Sequence, residues 1–419
     1  MLTVAQAWEA IAQWATPLPE LRVPLDEALG LVLAEPGIAD LDSPPFDKSL
    51  MDGYAVRQAD VATSGATLTV LEEVLAGQVP RRPLGPGQAT RIMTGAMLPD
   101  GADLVVPVEQ TRTLNADRSQ VEIATGGLPA GKNILRRAES TPRGTTVIPA
   151  GRLIRAVEVG CLAELGKSSV RVIRSPRVGV LATGDELVAV SERPGPGQIR
   201  NSNEPMLVAQ LRQAGSQAFS LGVARDNVSD LRRLVQRGLE YDVLVLSGGV
   251  SAGQVDLVPT VLAECGVQPV FHKIQLRPGQ PLWFGVLERN RPATERLSPP
   301  GTGSTRERCL VFGLPGNPVS SLVCCELFVK TALRGLAGLG ATPPAPTWAK
   351  LTAPHTNGGS RPTWHPAVLA FTPTGPEVAT VPWVGSADLS ATARANAMIG
   401  FEQPGQHYPA GTWVPVLAW

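Results

Sequence analysis

A chain of 419 residues suggests about three domains at roughly 150 residues each. Lys and Arg total 37 against 37 Asp and Glu, and a zero formal charge argues against a partner bound through a basic face, whether nucleic acid or a membrane surface. Hydrophobic residues at 43% mark a globular chain, 43 Gly and 39 Pro imply many turns, and no apolar run approaches the ~18 residues of a membrane span.

Val4, Ala7, Trp8, Ile11 and Trp14 fall at helical spacing and predict a short opening helix over 4–14. Over 45–145, brief β-type runs (68–74, 104–108, 121–124) broken by Gly and Pro predict a β-rich lobe. The lobe is inserted between 1–44 and 146–176, expected to form one discontinuous helical linker domain; a helix over 154–165 is expected to return and pack near the first. From 177 to 338, strand and helix alternate. Strands are read at 177–182, 217–223, 242–246, 281–286 and 309–312. Helices are read at 204–213 with Asn203 as cap, at 229–239 with Ser229 as cap, at 257–262 and at 318–336. This pattern predicts a doubly wound α/β sheet. Residues 288–308 read as a long polar loop. After the proline-rich stretch 342–346, β runs at 367–371, 377–381 and 413–417 predict a small barrel or sandwich over 339–419. The five cysteines form no C-x-x-C pair and nothing at the N-terminus reads as a signal peptide, so reduced thiols and a cytoplasmic location are expected.

Ligands of open α/β sheets bind beyond the carboxyl ends of the strands, near the point where strand order reverses. The predicted strands run out into Thr183-Gly184-Asp185-Glu186, Arg225-Asp226-Asn227 and Ser247-Gly248-Gly249-Val250-Ser251, three polar or Gly-rich ends converging on one edge. Glycines after a strand let backbone N–H groups approach an anion such as phosphate, although the segment lacks a P-loop lysine and could be a tight turn. Asp256 is equally suited to capping the next helix or to coordinating magnesium. Lys273 and Arg277 precede a Pro-Gly turn and suit a small oxyanion, or are a solvated pair. Gly313-Leu314-Pro315-Gly316-Asn317-Pro318 ends a strand and opens the closing helix. G-V-S-A-G around Ser251 also fits a hydrolase nucleophile elbow with Asp388 and His407 downstream, but no H-G-G-G oxyanion motif is present. The four histidines show no zinc-ligand spacing.

Five ordered motifs carry a resemblance: F-D-K-S-L-M-D-G-Y-A-V (46–56), M-T-G-A-M-L-P-D-G-A-D (93–103), T-G-D-E-L (183–187), S-G-G-V-S (247–251) and G-L-P-G-N-P-V-S (313–320). With G-S-A-D-L-S at 385–390, the chain resembles, over essentially its whole length, the MoeA family of molybdopterin molybdenumtransferases, whose animal relative is the E domain of gephyrin. The resemblance implies an α/β multidomain chain: a doubly wound α/β (MogA-like) domain, a β-rich inserted lobe, a helical linker region and a C-terminal β-barrel. It implies that adenylylated molybdopterin and molybdate are substrates and that Mg2+ assists cleavage to molybdenum cofactor and AMP. It also implies a homodimer, which brings the β lobe of one chain over the α/β lobe of the other, and transient contact with a molybdopterin adenylyltransferase.

By the same resemblance Asp52, Thr94, Glu186, Asp226 and Asp256 are catalytic positions, the last three also magnesium ligands. Ser247, Gly248, Gly249 and Ser251 would bind the substrate with Pro315 and Pro318, while Lys273 and Arg277 would hold molybdate. Hard carboxylate ligands suit magnesium, which keeps room for water and phosphate oxygens. The chain departs from the family at Lys48 (usually Asn), Ser140 (usually Asp) and Gln280 (usually Lys of P-G-K-P). The last change removes a cation beside the oxyanion site, for which Lys48 or Arg136 would substitute. A non-catalytic pterin-binding or scaffold paralogue is the alternative.

Overall fold

A computed structural model describes residues 1–249, 257–289 and 307–419. Ser251 and Asp256, with most of the 288–308 segment, lie outside the described residues. The chain forms two compact units, one of residues 1–34, 151–155 and 170–419, the other of 35–150 and 156–169. Helix α1 (Val4–Ala12) opens the first unit with a capping box: Thr3 Oγ1 accepts from the Gln6 amide, and Gln6 Oε1 accepts from that of Thr3. It buries Ala7 and Ile11 and ends before Trp14, shorter than the expected helix. Among the described residues no helix is long and apolar enough to cross a membrane.

The second unit is built on a six-stranded sheet in the order Leu104–Pro107, Gly53–Val56, Gln88–Ile92, Ala66–Val74, Gln120–Ile123, Thr111–Thr113. Its core includes Tyr54, Val56, Leu104, Val106 and Ile123. Gly53 is required by close approach: a Cβ there would lie 2.0 Å from the Val106 carbonyl oxygen. Helix α2 (Ala156–Glu164) belongs to this unit, whereas α1 belongs to the first.

The first unit contains a six-stranded sheet of β1 (Arg177–Thr183), β2 (Gln217–Ala224), β3 (Val243–Ser247), β4 (Gln268–His272), β5 (Trp283–Arg289) and β6 (Glu307–Leu314), ordered β2-β1-β3-β6-β5-β4. β2, β1, β3 and β6 run parallel; β5 and β4 reverse in turn. The period of two distributes the apolar residues to both faces. Val243 and Val245 join α1 and helix α3 (Asn203–Gln213) in one core, whereas Leu244 and Leu246 join helices α4 (Val228–Gly238) and α5 (Leu257–Glu264) in another. The order passes from β1 to β2 on one side and to β3 on the other, which places a switch point beyond the carboxyl end of β1.

The caps and the closing helix differ from expectation. Asn227, not Ser229, caps α4 by accepting from the Asp230 amide; Asn203 is the first residue inside α3, after Ser202. β4 was hidden by Pro269, which a strand tolerates at a sheet edge. The closing helix is α6 (Pro318–Cys324), a π-helical turn (Cys325–Val329) and α7 (Lys330–Leu336). The widened turn lets Gln210 Nε2 donate to both the Leu322 carbonyl (3.2 Å) and buried Glu326 (2.7 Å).

Residues 347–418 form a closed five-stranded barrel. Its first strand, Thr347–Leu351, pairs with Gly375–Thr380 on one side and Trp413–Ala418 on the other. Leu351, Val378, Ile399, Phe401 and Val416 fill the interior.

Candidate functional site

A cleft of about 850 Å³ lies along the carboxyl ends of β1, β3 and β6, where an open α/β sheet places its ligand. Its walls include Glu186, Asp226, Ser247, Gly248, Gly249, Pro315 and Pro318, residues singled out in the sequence. Gly248 and Gly249 take φ of 98° and 65°. A Cβ at Gly248 would stand 2.7 Å from the Thr183 carbonyl oxygen, and one at Gly249 2.6 Å from a Val258 methyl, so glycine alone keeps this floor open.

Glu186 folds back over Gly184, where a Cβ would come within 2.6 Å of both carboxylate oxygens. Asp226 is tied to the neighbouring strand end: its amide donates to Asp185 Oδ1 (3.2 Å) and its Oδ2 accepts from the Asp185 amide (3.4 Å). Both Glu186 and Asp226 are exposed. These are hard oxygen donors on one open cleft, a donor set that fits magnesium with water and phosphate oxygens completing its shell. Among the described residues no group of three or more His, Cys, Asp or Glu is placed to hold a metal.

One element of the cleft went unread in the sequence, where Asn203 was read only as a helix cap. Asn203 Nδ2 donates to Ser247 Oγ (2.8 Å) and to the Gly316 carbonyl (2.7 Å), joining the end of β3 to the loop after β6. Thr183, the last residue of β1, lines the same floor. Pro281 also lines the cleft, but Lys273 and Arg277 are not among its wall residues. The Arg277 backbone instead pairs with the barrel, its amide donating to Pro362 O (2.9 Å) and its carbonyl accepting from the Trp364 amide (2.8 Å).

Within the first unit, a cation stands beside Gln280. Arg361 donates to Gln280 Oε1 and, at 3.4 Å, to the Leu276 carbonyl, returning a guanidinium to the Pro-Gly turn. Arg136 is bound to Asp47 at 2.6 Å; it and Lys48, on the short strand Lys48–Ser49, belong to the second unit. Ser140 donates its amide to Ser43 O there.

In that second unit, Asp52 and Thr94 form a pair. The Thr94 hydroxyl and amide both donate to Asp52 Oδ1 at 2.7 Å. The hydroxyl chiefly, then the amide, with Arg91 adding a favourable charge, hold the Asp52 carboxyl below its ordinary range.

The two residues that a hydrolase would need as acid and base are engaged with other groups. Asp388 caps the helix Leu389–Ala393, accepting from the Ala391 amide at 3.0 Å, and His407 Nδ1 pairs with Thr356 Oγ1 at 2.9 Å. Among the described residues the two are not hydrogen-bonded to each other.

Residues 2–166 match the MoeA N-terminal region (domain I and II), 179–335 a probable molybdopterin binding domain, and 348–419 the MoeA C-terminal region (domain IV). The chain is 38% identical over 322 residues to a molybdopterin molybdenumtransferase of Nostoc, covering 76% of this chain and 69% of that one. It is 32% identical to a protein of the same name from Staphylococcus epidermidis, covering 99% and 95%. The crystal structure of a molybdopterin biosynthesis MoeA protein from Pyrococcus horikoshii superposes with a TM-score of 0.80 at 25% identity over the full length of both chains. These likenesses, with the barrel and the mixed α/β sheet, establish that the chain belongs to the MoeA family, the molybdopterin molybdenumtransferases of molybdenum cofactor biosynthesis.

Proposed function

We propose that this protein is a molybdenum insertase that takes adenylylated molybdopterin and molybdate and yields molybdenum cofactor and AMP. The observation that carries the reading is the cleft at the switch point, which joins a glycine floor at Gly248 and Gly249 to exposed carboxylates at Glu186 and Asp226. Open glycine backbone admits a phosphate closely, and the proline-edged loop from Pro315 to Pro318 gives the opposite wall a fixed shape. Arg361 beside Gln280 supplies positive charge for an incoming oxyanion.

Glu186 and Asp226 would hold magnesium, with Asp256 as the third ligand implied by the family. Bound there, the ion would neutralise charge on the phosphate bridge and polarise its oxygens. Asp52, kept ionised by Thr94, orients polar groups of the substrate by accepting hydrogen bonds. In this reading the chain is a homodimer in which Asp52 and Thr94 of one copy complete the cleft of the other, and a molybdopterin adenylyltransferase delivers the substrate. Ser247 and Ser251 contribute hydroxyls to substrate binding, and Lys273 and Arg277 contribute charge at the molybdate end.

The test is incubation of purified protein with adenylylated molybdopterin, magnesium and molybdate, following AMP release and reconstitution of an apo-molybdoenzyme. Both products, each dependent on molybdate and magnesium, support the insertase. Glu186→Gln and Asp226→Asn should then lower AMP release tenfold or more at unchanged melting temperature. Binding without AMP release overturns the catalytic reading in favour of a pterin-binding or scaffold protein.

A further inference from the structure

Among the described residues, two buried polar atoms on the floor of the cleft have no hydrogen-bond partner: Thr183 Oγ1 and Asn203 Oδ1. Thr183 is only 6% exposed, so water cannot readily replace a missing partner. An unpaired buried polar atom is costly enough that native folds rarely leave one without a reason. Two on one cleft floor, flanking the same segment, point to a ligand.

The orientation of Asn203 is set by its surroundings. The Gly316 carbonyl can only accept a hydrogen bond, so the atom 2.7 Å from it is the amide nitrogen. The same nitrogen gives its other proton to Ser247 Oγ, which itself lies 3.4 Å from Ser321 Oγ. Both amide protons are committed to holding β3 against the loop after β6. What remains is Oδ1, an acceptor that cannot exchange roles with its nitrogen without breaking both contacts. Thr183 flanks the same segment from β1: a Cβ on Gly248 would stand 2.9 Å from its Oγ1, and one on Gly249 3.0 Å. The two orphaned atoms thus border Ser247–Gly249 from two different elements.

We propose that Asn203 Oδ1 is a specificity-determining acceptor that reads a donor-bearing edge of the heterocycle bound in this cleft, with the Thr183 hydroxyl as a second contact able to accept or donate, and that Asn203 makes the cleft discriminate against a ring presenting a carbonyl there. The inference rests on the reading of the cleft as a pterin site. A pterin ring offers a 2-amino group beside a ring N–H; lumazine replaces the amino group with a carbonyl and would face Asn203 Oδ1 oxygen to oxygen. A site that hydrogen-bonds a donor rejects an analogue lacking it, because its own polar atoms are then left unpaired.

The experiment titrates the full chain with pterin and with lumazine, following ligand fluorescence, alongside melting temperatures. The wild-type protein should bind pterin at least tenfold more tightly than lumazine. Asn203→Ala should weaken pterin about tenfold, leave lumazine unchanged and so abolish the preference, while Thr183→Val should weaken pterin and Thr183→Ser should restore it. A purely structural role would weaken both ligands together. Equal binding of the two rings by the wild type, or a wild-type ratio retained by folded Asn203→Ala, overturns this inference while leaving the pterin site standing. Failure of the wild type to bind either ring overturns both.

Discussion

Thr94 gives two hydrogen bonds to a single oxygen of Asp52, hydroxyl and amide each at 2.7 Å from Oδ1. The other oxygen, Oδ2, is therefore left for whatever Asp52 meets, on a carboxylate held ionised by a neighbour 42 residues away in sequence. Removing the hydroxyl while keeping the shape tests the arrangement. In Thr94→Val the Asp52 titration, followed by carboxyl NMR, should move up toward its ordinary value of 3.8, because the largest of the stabilising contacts is gone. In the wild type the depressed carboxyl favours the fold above its unfolded pKa, and that contribution disappears as pH falls through the folded pKa. An unmoved midpoint in the variant would assign the effect to the backbone amide or Arg91.

Gly53 fixes where Asp52 can stand. A methyl group at this position would be 2.0 Å from the Val106 carbonyl oxygen, and both backbones belong to paired strands of one sheet. Gly53→Ala should therefore destabilise the protein by about 3 kcal/mol, the upper range of overpacking, as measured by denaturant unfolding. A loss under ~0.5 kcal/mol would mean that the two strands part easily.

Arg361 is expected to matter for the oxyanion. Charge-assisted hydrogen bonds contribute ~1.5–3 kcal/mol, so Arg361→Gln should reduce molybdate affinity by about tenfold or more in calorimetric titration, and Gln280→Lys should partly restore it in that background. Molybdate binding that ignores both substitutions would place the anion elsewhere.

His365 predicts a pH dependence of stability. It lies among His355, Trp383 and Phe401, and burial, with smaller contributions from His355 and Arg277, pushes its pKa down to about 4, although the Pro366 carbonyl opposes the shift. A histidine with a folded pKa below its unfolded value of 6.5 takes up its proton more readily when unfolded. Stability should thus fall as pH drops from about 6.5 to about 4, by roughly 3 kcal/mol in total. Comparing thermal unfolding of the wild type and His365→Phe across that range should show a flatter curve for the variant. Parallel curves would mean that the ring is protonated in the native state.

The architecture was readable where one physical signal dominated. β3 is apolar from Val243 to Leu246 and buried on both faces, and three strand ends bearing Glu186, Asp226 and Ser247 led to the cleft by the switch-point rule alone. The site was less readable where partners are far apart. Gln280 and Arg361 are separated by 81 residues, and no local pattern in one sequence joins them. Asn203 looked like a helix cap because the residue type suits a cap, but its amide serves two strand-end loops instead. Lys273 and Arg277 share the Pro-Gly turn with Pro281, yet only Pro281 is a wall residue; sequence proximity carried no information on side-chain direction.

The barrel of residues 347–418 closes through Thr347–Leu351, which pairs on both of its sides. A sheet that returns on itself offers no row of unpaired N–H and C=O groups to a passing extended chain. Strand addition, the simplest route by which β structure aggregates or captures a peptide, is thereby blocked at the five-stranded ring. Recognition by this part of the molecule falls to side chains and turns, such as the exposed rings of Trp348 and Phe371, which can vary without disturbing the hydrogen-bonded ring beneath them.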